Sequence, residues 1–426
     1  MAAAWKENLG LGRESLDVDT ARARLEAARG ALRPRLDFQA QYAVAEGGRT
    51  IDIPVGDLLN PVYSSLNQLL GSNQFAPVSN QSIPFLLPKD QQTDLRLLQP
   101  LYNPEIARQV EAARATAAGR EALRAVFRRE LRLDVERSYY RWLQAGRAMQ
   151  VFASAQELVD EAERVNRSLV ANGTAMDDAL LRATAEVESV RQQSISAGTD
   201  RDLAASYLNF LLNRSPDSRI EEVPPDELEA MSRRVRDFAA GPFAAGRREE
   251  LEALDAGARA TEAGEGAARA AGGPTLSVAV ESGIQGESYS TDSAARYTEA
   301  ALVGQWNLFD AGQNRSRVRE AANARRKIAS ETAETVRQIE LQDRDARRRL
   351  AAAIASLNAA ESRLTAARGA FAIVARRERE GLVNQLGFLD ARNALTAAEI
   401  NQTAAQAGMF VAYAELDRSL ALTPLP

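Results

Sequence analysis

Two spacings of apolar residues alternate in blocks along the chain. Leu36, Phe38, Ala40, Tyr42 and Val44 take every second position against Arg35, Asp37, Gln39 and Gln41. That period of two predicts a strand with one wet face and one apolar face. Leu95, Leu97 and Leu101 repeat the pattern, as do Leu276, Val278 and Val280, then Leu302, Trp306 and Leu308. Strands are therefore expected over about 35–46, 93–102, 275–283 and 297–308. After the second and the fourth of these stretches the apolar spacing changes to the three-to-four rhythm of a helix, unbroken by proline. Helices are expected over about 104–172 and 174–213, with Pro104 suited to a first turn, and again over about 312–380 and 382–422. At 1.5 Å per residue the longest would be roughly 100 Å.

These blocks come in two copies. Sliding the sequence on itself by 208 positions places Val110 on Val318, Ala113 on Ala321, Leu131 on Ile339, Leu133 on Leu341 and Trp142 on Leu350. The same shift places Gly173 on Gly381, Leu181 on Leu389, Ala183 on Ala391 and Leu208 on Leu416. Each copy reads helix, strand, loop, strand, long helix, break, long helix. The expected organisation is a first repeat over 1–215, a proline-marked linker over 216–250 and a second repeat over 251–426. The fold class is mainly α with a four-stranded β ribbon, built from internally duplicated long helical hairpins. Helices this long must pack along their lengths against one another or against other chains.

Four strands with one apolar face leave that face wet and the sheet edges unpaired, a problem that closure with other copies solves. Alternating strands of about ten residues suit a transmembrane barrel. Tyr42, Tyr102, Tyr289, Tyr297, Trp306 and Phe309 sit near strand ends, where interfacial aromatic girdles occur; ordinary packing on a soluble sheet is the other reading of them. The first two strands are joined by a long segment, Gly47–Gln92, rich in Pro, Asn, Ser and Gln, within which Asp57–Leu70 could form a short helix. It could cap or narrow a barrel mouth. Its counterpart in the second copy, Gly283–Arg296, is short.

Composition removes most chemistry. The 426 residues contain no histidine and no cysteine. Ser-His-Asp and Cys-His catalysis, zinc sites built on thiolate or imidazole, and disulfides are thereby excluded. With 53 basic against 58 acidic residues interleaved along helices, there is no field for nucleic acid. No run of about 18 apolar residues supplies a membrane-spanning helix. Met1–Lys6 lacks the apolar core of a secretory signal, so an exported protein is expected to be a processed or shortened form. No enzyme activity and no cofactor are expected.

Several local stretches bring a family into view. Ala21–Leu36 reads as a helix running into a first strand, Gln99–Pro104 and Trp306–Gly312 as strand-to-helix corners, and Gly381–Ala391 as a hairpin tip. In this order, duplicated and at this spacing, they resemble the TolC-type outer-membrane efflux factors across nearly the whole chain. The resemblance implies a homotrimer in outer-membrane lipid, with four strands per chain forming one barrel of about twelve. A periplasmic α-helical tunnel would continue it. The implied partners are a periplasmic adaptor and an inner-membrane pump, in the envelope of a Gram-negative bacterium, serving efflux or type I secretion. Adaptor docking would fall on the hairpin tips, at Gly173, Thr174, Gly381, Leu382 and Val383. Asp390 matches a family position for an acidic ring at the periplasmic entrance; where a second aspartate is common, this chain has Gly387. Asp177 and Asp178 of the first tip could compensate, or could instead stabilise the start of the next helix through its dipole. A periplasmic coiled-coil adaptor or scaffold is the competing reading. It shares the alanine-rich helices but has no need of two matched pairs of amphipathic strands.

Overall fold

The computed structural model describes residues 1–241, 246–383 and 385–425; Asn384, in the second expected tip, lies outside them. The elements follow in the order α1 Ala2–Glu7, α2 Leu9–Gly30, β1 Arg35–Val44, β2 Thr50–Ile53, α3 Val55–Leu70, β3 Gln81–Pro84, β4 Lys89–Tyr102, α4 Pro104–Ala171 and α5 Asp177–Leu211. Then come α6 Pro225–Ala240, α7 Glu249–Ala270, β5 Thr275–Gly286, β6 Arg296–Gln305, α8 Gln313–Arg379 and α9 Gln385–Leu420. Contacts divide the chain into two compact units that each draw on both repeats. One comprises Met1–Arg24, Ala112–Glu262 and Ala322–Pro426, the other Leu25–Glu111 and Ala263–Ala321.

The second unit holds a four-stranded antiparallel sheet in the order β1-β4-β5-β6 and the smaller β2–β3 pair. The two repeats meet at the centre of the larger sheet, where β4 pairs with β5. Register sorts the side chains by parity. Leu36, Phe38, Tyr42 and Val44 share a face with Leu95 and Leu97, with Val278, Val280 and Ile284, and with Ala300 and Leu302. Asp37, Gln39 and Gln41 share the other with Gln92, Asp94 and Arg96, with Glu281 and Gln285, and with Tyr297 and Glu299. Near its end β4 carries a bulge between Pro100 and Tyr102. Proline has no N–H to donate to the ladder, and the extra residue absorbs the break.

The long first connection is ordered. The β1–β4 hairpin continues outward through Ala45 N–H to Pro88 O and Phe85 N–H to Arg49 O into the β2–β3 pair. Its tip is α3, on which two asparagines one heptad apart hold the following strand of chain. Asn60 exchanges side-chain hydrogen bonds with the Val78 backbone at 2.8 and 3.0 Å, and Asn67 does so with Phe75 at 2.7 and 3.0 Å. The polar richness of this segment thus closes its own backbone. Gly56 is buried there because a Cβ would stand 2.4 Å from the Val78 carbonyl oxygen.

The first unit is helical. Proline is absent between Pro104 and Pro216 and again between Pro274 and Pro424, so the hydrogen-bond ladders of α4, α5, α8 and α9 are not broken by it. Trp142 and Leu143 of α4, Leu350 and Leu357 of α8, and Met409, Phe410, Leu416 and Leu420 of α9 form its main core. Phe410 stacks on Tyr140 at 5.0 Å. A second cluster joins Ala4 and Leu11 to Leu131, Val135, Leu208 and Leu211. The matched pairs Trp142/Leu350 and Leu208/Leu416 are core positions in both repeats.

Both repeats also end alike. Asn213 and Ala421, 208 positions apart, adopt left-handed backbone at φ 52° and 50° without being glycine. One helical turn earlier stand the buried Asn209 and Asp417. Asn209 Nδ2 donates to Pro216 O and Ser218 O, and Asp417 Oδ1 accepts from Thr423 N–H and Oγ1. Each ties down the chain that leaves its helix.

Several boundaries differ from the sequence expectation. The linker over 216–250 contains the helix α6: Pro225 occupies a first-turn position, where its missing N–H is harmless. Leu228 and Val235 bury its inner face against the main core, and Ser232 accepts from Gln406 Nε2 at 3.1 Å. Helix α5 starts at Asp177 and not at 174, because residues after Gly173 complete a cap. Strand β1 stops at Val44, β4 begins already at Lys89, and β5 extends to Gly286. Strand β6 ends at Gln305, leaving Trp306 and Leu308 beyond the ladder.

Candidate functional site: a two-faced sheet and two capped hairpin tips

The apolar face of the sheet is uncovered. Phe38 is 68% exposed, Tyr42 63% and Leu302 66%. A contiguous apolar face of this kind on a folded chain marks an interface with lipid or protein. Strands β1 and β6 are the sheet's outer members, each with one side of its backbone unpaired in the sheet.

The strand-end aromatics fall at two levels and on two faces. Tyr42 stands on the apolar face opposite Gln91. At the other end, Tyr102 is brought by the bulge opposite Leu276, on the apolar face, and Trp306 lies beside both, its Nε1 donating to Gly272 O at 3.1 Å. The exposed Phe309 follows in the corner. From Gln91 to Tyr102 is about 35 Å along the strand, or about 25 Å of membrane normal at barrel tilt, the height of an outer-membrane apolar band. Tyr289 is exposed in the β5–β6 connection. Tyr297 does not belong with them. It has the parity of Glu299 and lies on the polar face, donating to Glu281 Oε1 at 2.6 Å.

The corners that lead from strand to helix are capped. Asn103 Oδ1 accepts from Ile106 N–H at 3.2 Å at the start of α4. Asp310 does the same for α8, accepting from Asn314 N–H at 2.6 Å and from Gly312 N–H at 2.9 Å. Those amides, Asn314 foremost, hold its carboxyl below the usual value. Ala311 and Gly312 turn the chain there with positive φ.

The two tips share one geometry. Gly173 and Gly381 have φ of 69° and 71°. At the first, Gly173 N–H bonds Val170 O at 3.0 Å and Thr174 N–H bonds Leu169 O at 2.9 Å; at the second, Gly381 bonds Glu378 O at 2.9 Å and Leu382 bonds Arg377 O at 2.8 Å. These are the paired bonds of a Schellman cap, for which a left-handed glycine is the favoured residue. Thr174 adds its hydroxyl to Leu169 O at 2.9 Å. Leu382 is 71% exposed and Val383 half-buried.

Of the acidic residues, Asp177 and Asp178 open α5, where helix polarity favours anions. Asp178 lies 3.8 Å from Arg182. Asp390 is exposed on α9 without an ion pair among the described residues. Its neighbour Leu389 is buried with Ala155, Val159 and Ala162 of α4 and Val187 and Val190 of α5, so the two hairpins pack together near their tips.

One residue here escaped sequence reasoning. Arg392 is 6% exposed, and neither Nε nor Nη2 has a hydrogen-bond partner. Its guanidinium stands 5.7 Å from the Phe371 ring centre, and burial lowers its pKa. Thr396, one turn on, is also buried with its hydroxyl unpartnered. The available signal was a charge on the stripe of Leu389 and Leu395, in a chain where helical arginines are otherwise common. No cluster suited to a metal, and no helix long and apolar enough to cross a membrane, occurs among the described residues.

An exposed apolar sheet face backed by a polar one, in a chain that also carries paired long hairpins, is an architecture shared with solved outer-membrane channels. The chain is similar over 99% of its length to the outer-membrane channel OprN, covering 89% of that chain at 18% identity with a TM-score of 0.77. It is similar over 98% to the outer membrane protein VceC from Vibrio cholerae, covering 94% of it at 17% identity and a TM-score of 0.77. The open state of the Neisseria gonorrhoeae MtrE outer membrane channel matches over 98% of this chain and 87% of its own, at 19% identity and a TM-score of 0.76. Curated protein sequences provide no match. Residues 243–422 match the outer membrane efflux protein family, and over the whole chain the fold is that of these channels.

Proposed function

We propose that this chain is the outer-membrane channel subunit of a tripartite efflux or type I secretion system, conducting substrates passively from an inner-membrane pump and its periplasmic adaptor to the outside. The observation that carries the reading is the sheet: one face apolar and exposed, the other polar, with two free antiparallel edges. In lipid every backbone group must be satisfied within the protein, so such edges have to close. Because β1 and β6 run in opposite directions, β6 of one copy can pair antiparallel with β1 of the next. Three copies then give a barrel of about twelve strands, apolar outside and polar within. The helical hairpins of the three chains would line a periplasmic tunnel in the envelope of a Gram-negative bacterium.

The tips are the proposed docking end. Gly173, Thr174, Gly381, Leu382 and Val383 would meet the adaptor, and Asp390, with Asp177 and Asp178, would ring the entrance. Tyr42, Tyr102, Trp306 and Phe309 would sit at the two lipid interfaces. A periplasmic adaptor or scaffold gives no use to the exposed apolar face, which would drive it to aggregate in water.

Purified protein added to planar bilayers is expected to produce discrete, long-lived conductance steps, and to require detergent to remain monodisperse. Reversing the charge at Asp390 should change conductance or ion preference. Protein that stays monodisperse without detergent and never conducts would refute the channel reading; unchanged conduction in the Asp390 variant would remove that residue alone from the entrance.

A further inference from the structure

Following hydrogen-bonded register across the polar face, one row has a charged residue on every strand. Asp37 pairs with Arg96, Arg96 with Glu281, and Glu281 with Glu299. Three acids against one base give this row a formal charge of -2 (1 - 3) in each chain. Glu281 and Glu299 face each other directly, an arrangement of like charges that weakens a sheet. Nothing in strand pairing or packing asks for it.

Glu281 is nevertheless held in place. The Tyr297 hydroxyl donates to its Oε1 at 2.6 Å. Gln92 Nε2 lies 3.4 Å from the same oxygen, 3.1 Å from Tyr297 Oη and 3.2 Å from Asp94 Oδ1. One amide therefore bridges two carboxylates and fixes their spacing. Asp94 adds an independent sign of an absent partner. It is only 3% exposed, and its Oδ2 has no hydrogen bond. Across from it stands Gly283, where a Cβ would come 2.3 Å from Thr93 O and 2.7 Å from Asp94 Cα. The glycine leaves room for the carboxylate beside the charged row. A buried carboxylate oxygen without a donor is costly, and a cation is the species that would satisfy it.

We propose that this row is a charge filter in the barrel wall that favours cations and positively charged cargo, with Glu281 and Glu299 facing the passing ion and Asp94 holding a cation in the wall behind them. The proposal rests on the channel reading, under which the polar face lines the lumen and the rows of successive copies join into a ring. Rings of carboxylates are a general means of preferring cations. At physiological salt the Debye length is about 8 Å, so the ring acts on ions that pass close to the wall. It is separate from the acids of the hairpin tips, which belong to the other unit.

The test uses the full chain in planar bilayers under a KCl gradient, reading the K⁺ over Cl⁻ permeability ratio from the reversal potential. The wild type is expected to prefer K⁺. Glu281→Gln with Glu299→Gln should lower the ratio several-fold, Asp94→Asn should lower it further, and Arg96→Gln should raise it. Glu299→Gln alone changes an exposed side chain without altering its shape, so it guards against loss of folding. A ratio identical to wild type in the double variant, from pores of normal conductance, would overturn the filter and leave the channel intact. Failure of the wild type to form any pore would instead refute the channel reading and the filter with it.

Discussion

Replacing Arg392 by methionine should stabilise the protein near its hairpin tips, although it removes a charge and a ring contact. The guanidinium is nearly fully buried and leaves two nitrogens without acceptors. Each unmet buried donor costs about 1–3 kcal/mol. Against this stands the contact with Phe371 at 5.7 Å, worth about 0.5–2 kcal/mol. Methionine fills much of the same stem volume and retains a favourable sulfur–aromatic contact. The balance favours the variant by about 1–3 kcal/mol, in line with other replacements of buried ionic groups by apolar ones. The assay is hydrogen exchange on the detergent-solubilised protein, read over amides 385–398. Since 1.4 kcal/mol is tenfold in an equilibrium, exchange through local opening should slow by roughly tenfold to a hundredfold. Exchange that is faster in Arg392→Met would show that the arginine has a strong acceptor and refute the reasoning. If the reading holds, Arg392 weakens the packing of α9 and lowers the work needed to part the helices there.

Gly173→Val and Gly381→Val should each cost about 1–2 kcal/mol from left-handed backbone alone, since nothing lies within 4 Å of an added Cβ at either glycine; limited proteolysis at the two tips should report similar increases, and no increase at either would refute the shared cap. Phe410→Ala should cost about 3–5 kcal/mol, seen as a lowered thermal transition, because Phe410 is 1% exposed and stacked on Tyr140; a change below about 1 kcal/mol would mean that the main core relaxes around the loss. Burial pushes the Glu250 carboxyl up, but hydrogen bonds from Arg248 at 2.6 Å and the Arg418 guanidinium at 3.0 Å outweigh it and leave the pKa below its usual value. Its stabilising effect is therefore complete above the ordinary carboxylate pKa and is lost as pH falls through the lowered one. Glu250→Gln should accordingly be less stable than wild type at neutral pH and lose that difference below about pH 4.5; a difference that persists in acid would contradict the assignment.

Much of this fold was legible in periodicity. Alternation from Leu36 to Val44 named the strand and its apolar face, and the 208-residue offset located both left-handed glycines. The offset extends further than apolar matching suggested, to Asn209/Asp417 and Asn213/Ala421, which share geometry but little chemistry. What escaped was decided by partners across the sheet or the bundle. Nearness to a strand end suggests an interfacial aromatic at Tyr297, yet it alternates with Thr298 and keeps the parity of Glu299. The bulge at Pro100, which moves Tyr102 to the apolar face, depends on pairing with β5. The helix Pro225–Ala240 is hidden in the sequence because its prolines suggest a break, although at a first turn they start helices. Arg392 shows in the sequence only as a charge on the apolar stripe of Leu389 and Leu395, since an unmet donor is a property of its surroundings.

The free edges of the sheet also bear on how the protein is made. A single chain emerging from synthesis offers two ready templates for strand addition and an apolar face beside them, the combination that leads unassembled β proteins to aggregate. Under the proposed channel function its edge strands are satisfied by other copies, so insertion into lipid and association become one concentration-dependent event. On that reading the lone chain is the species most exposed to wrong pairing, at β1 and β6, and assembly is what removes both edges at once.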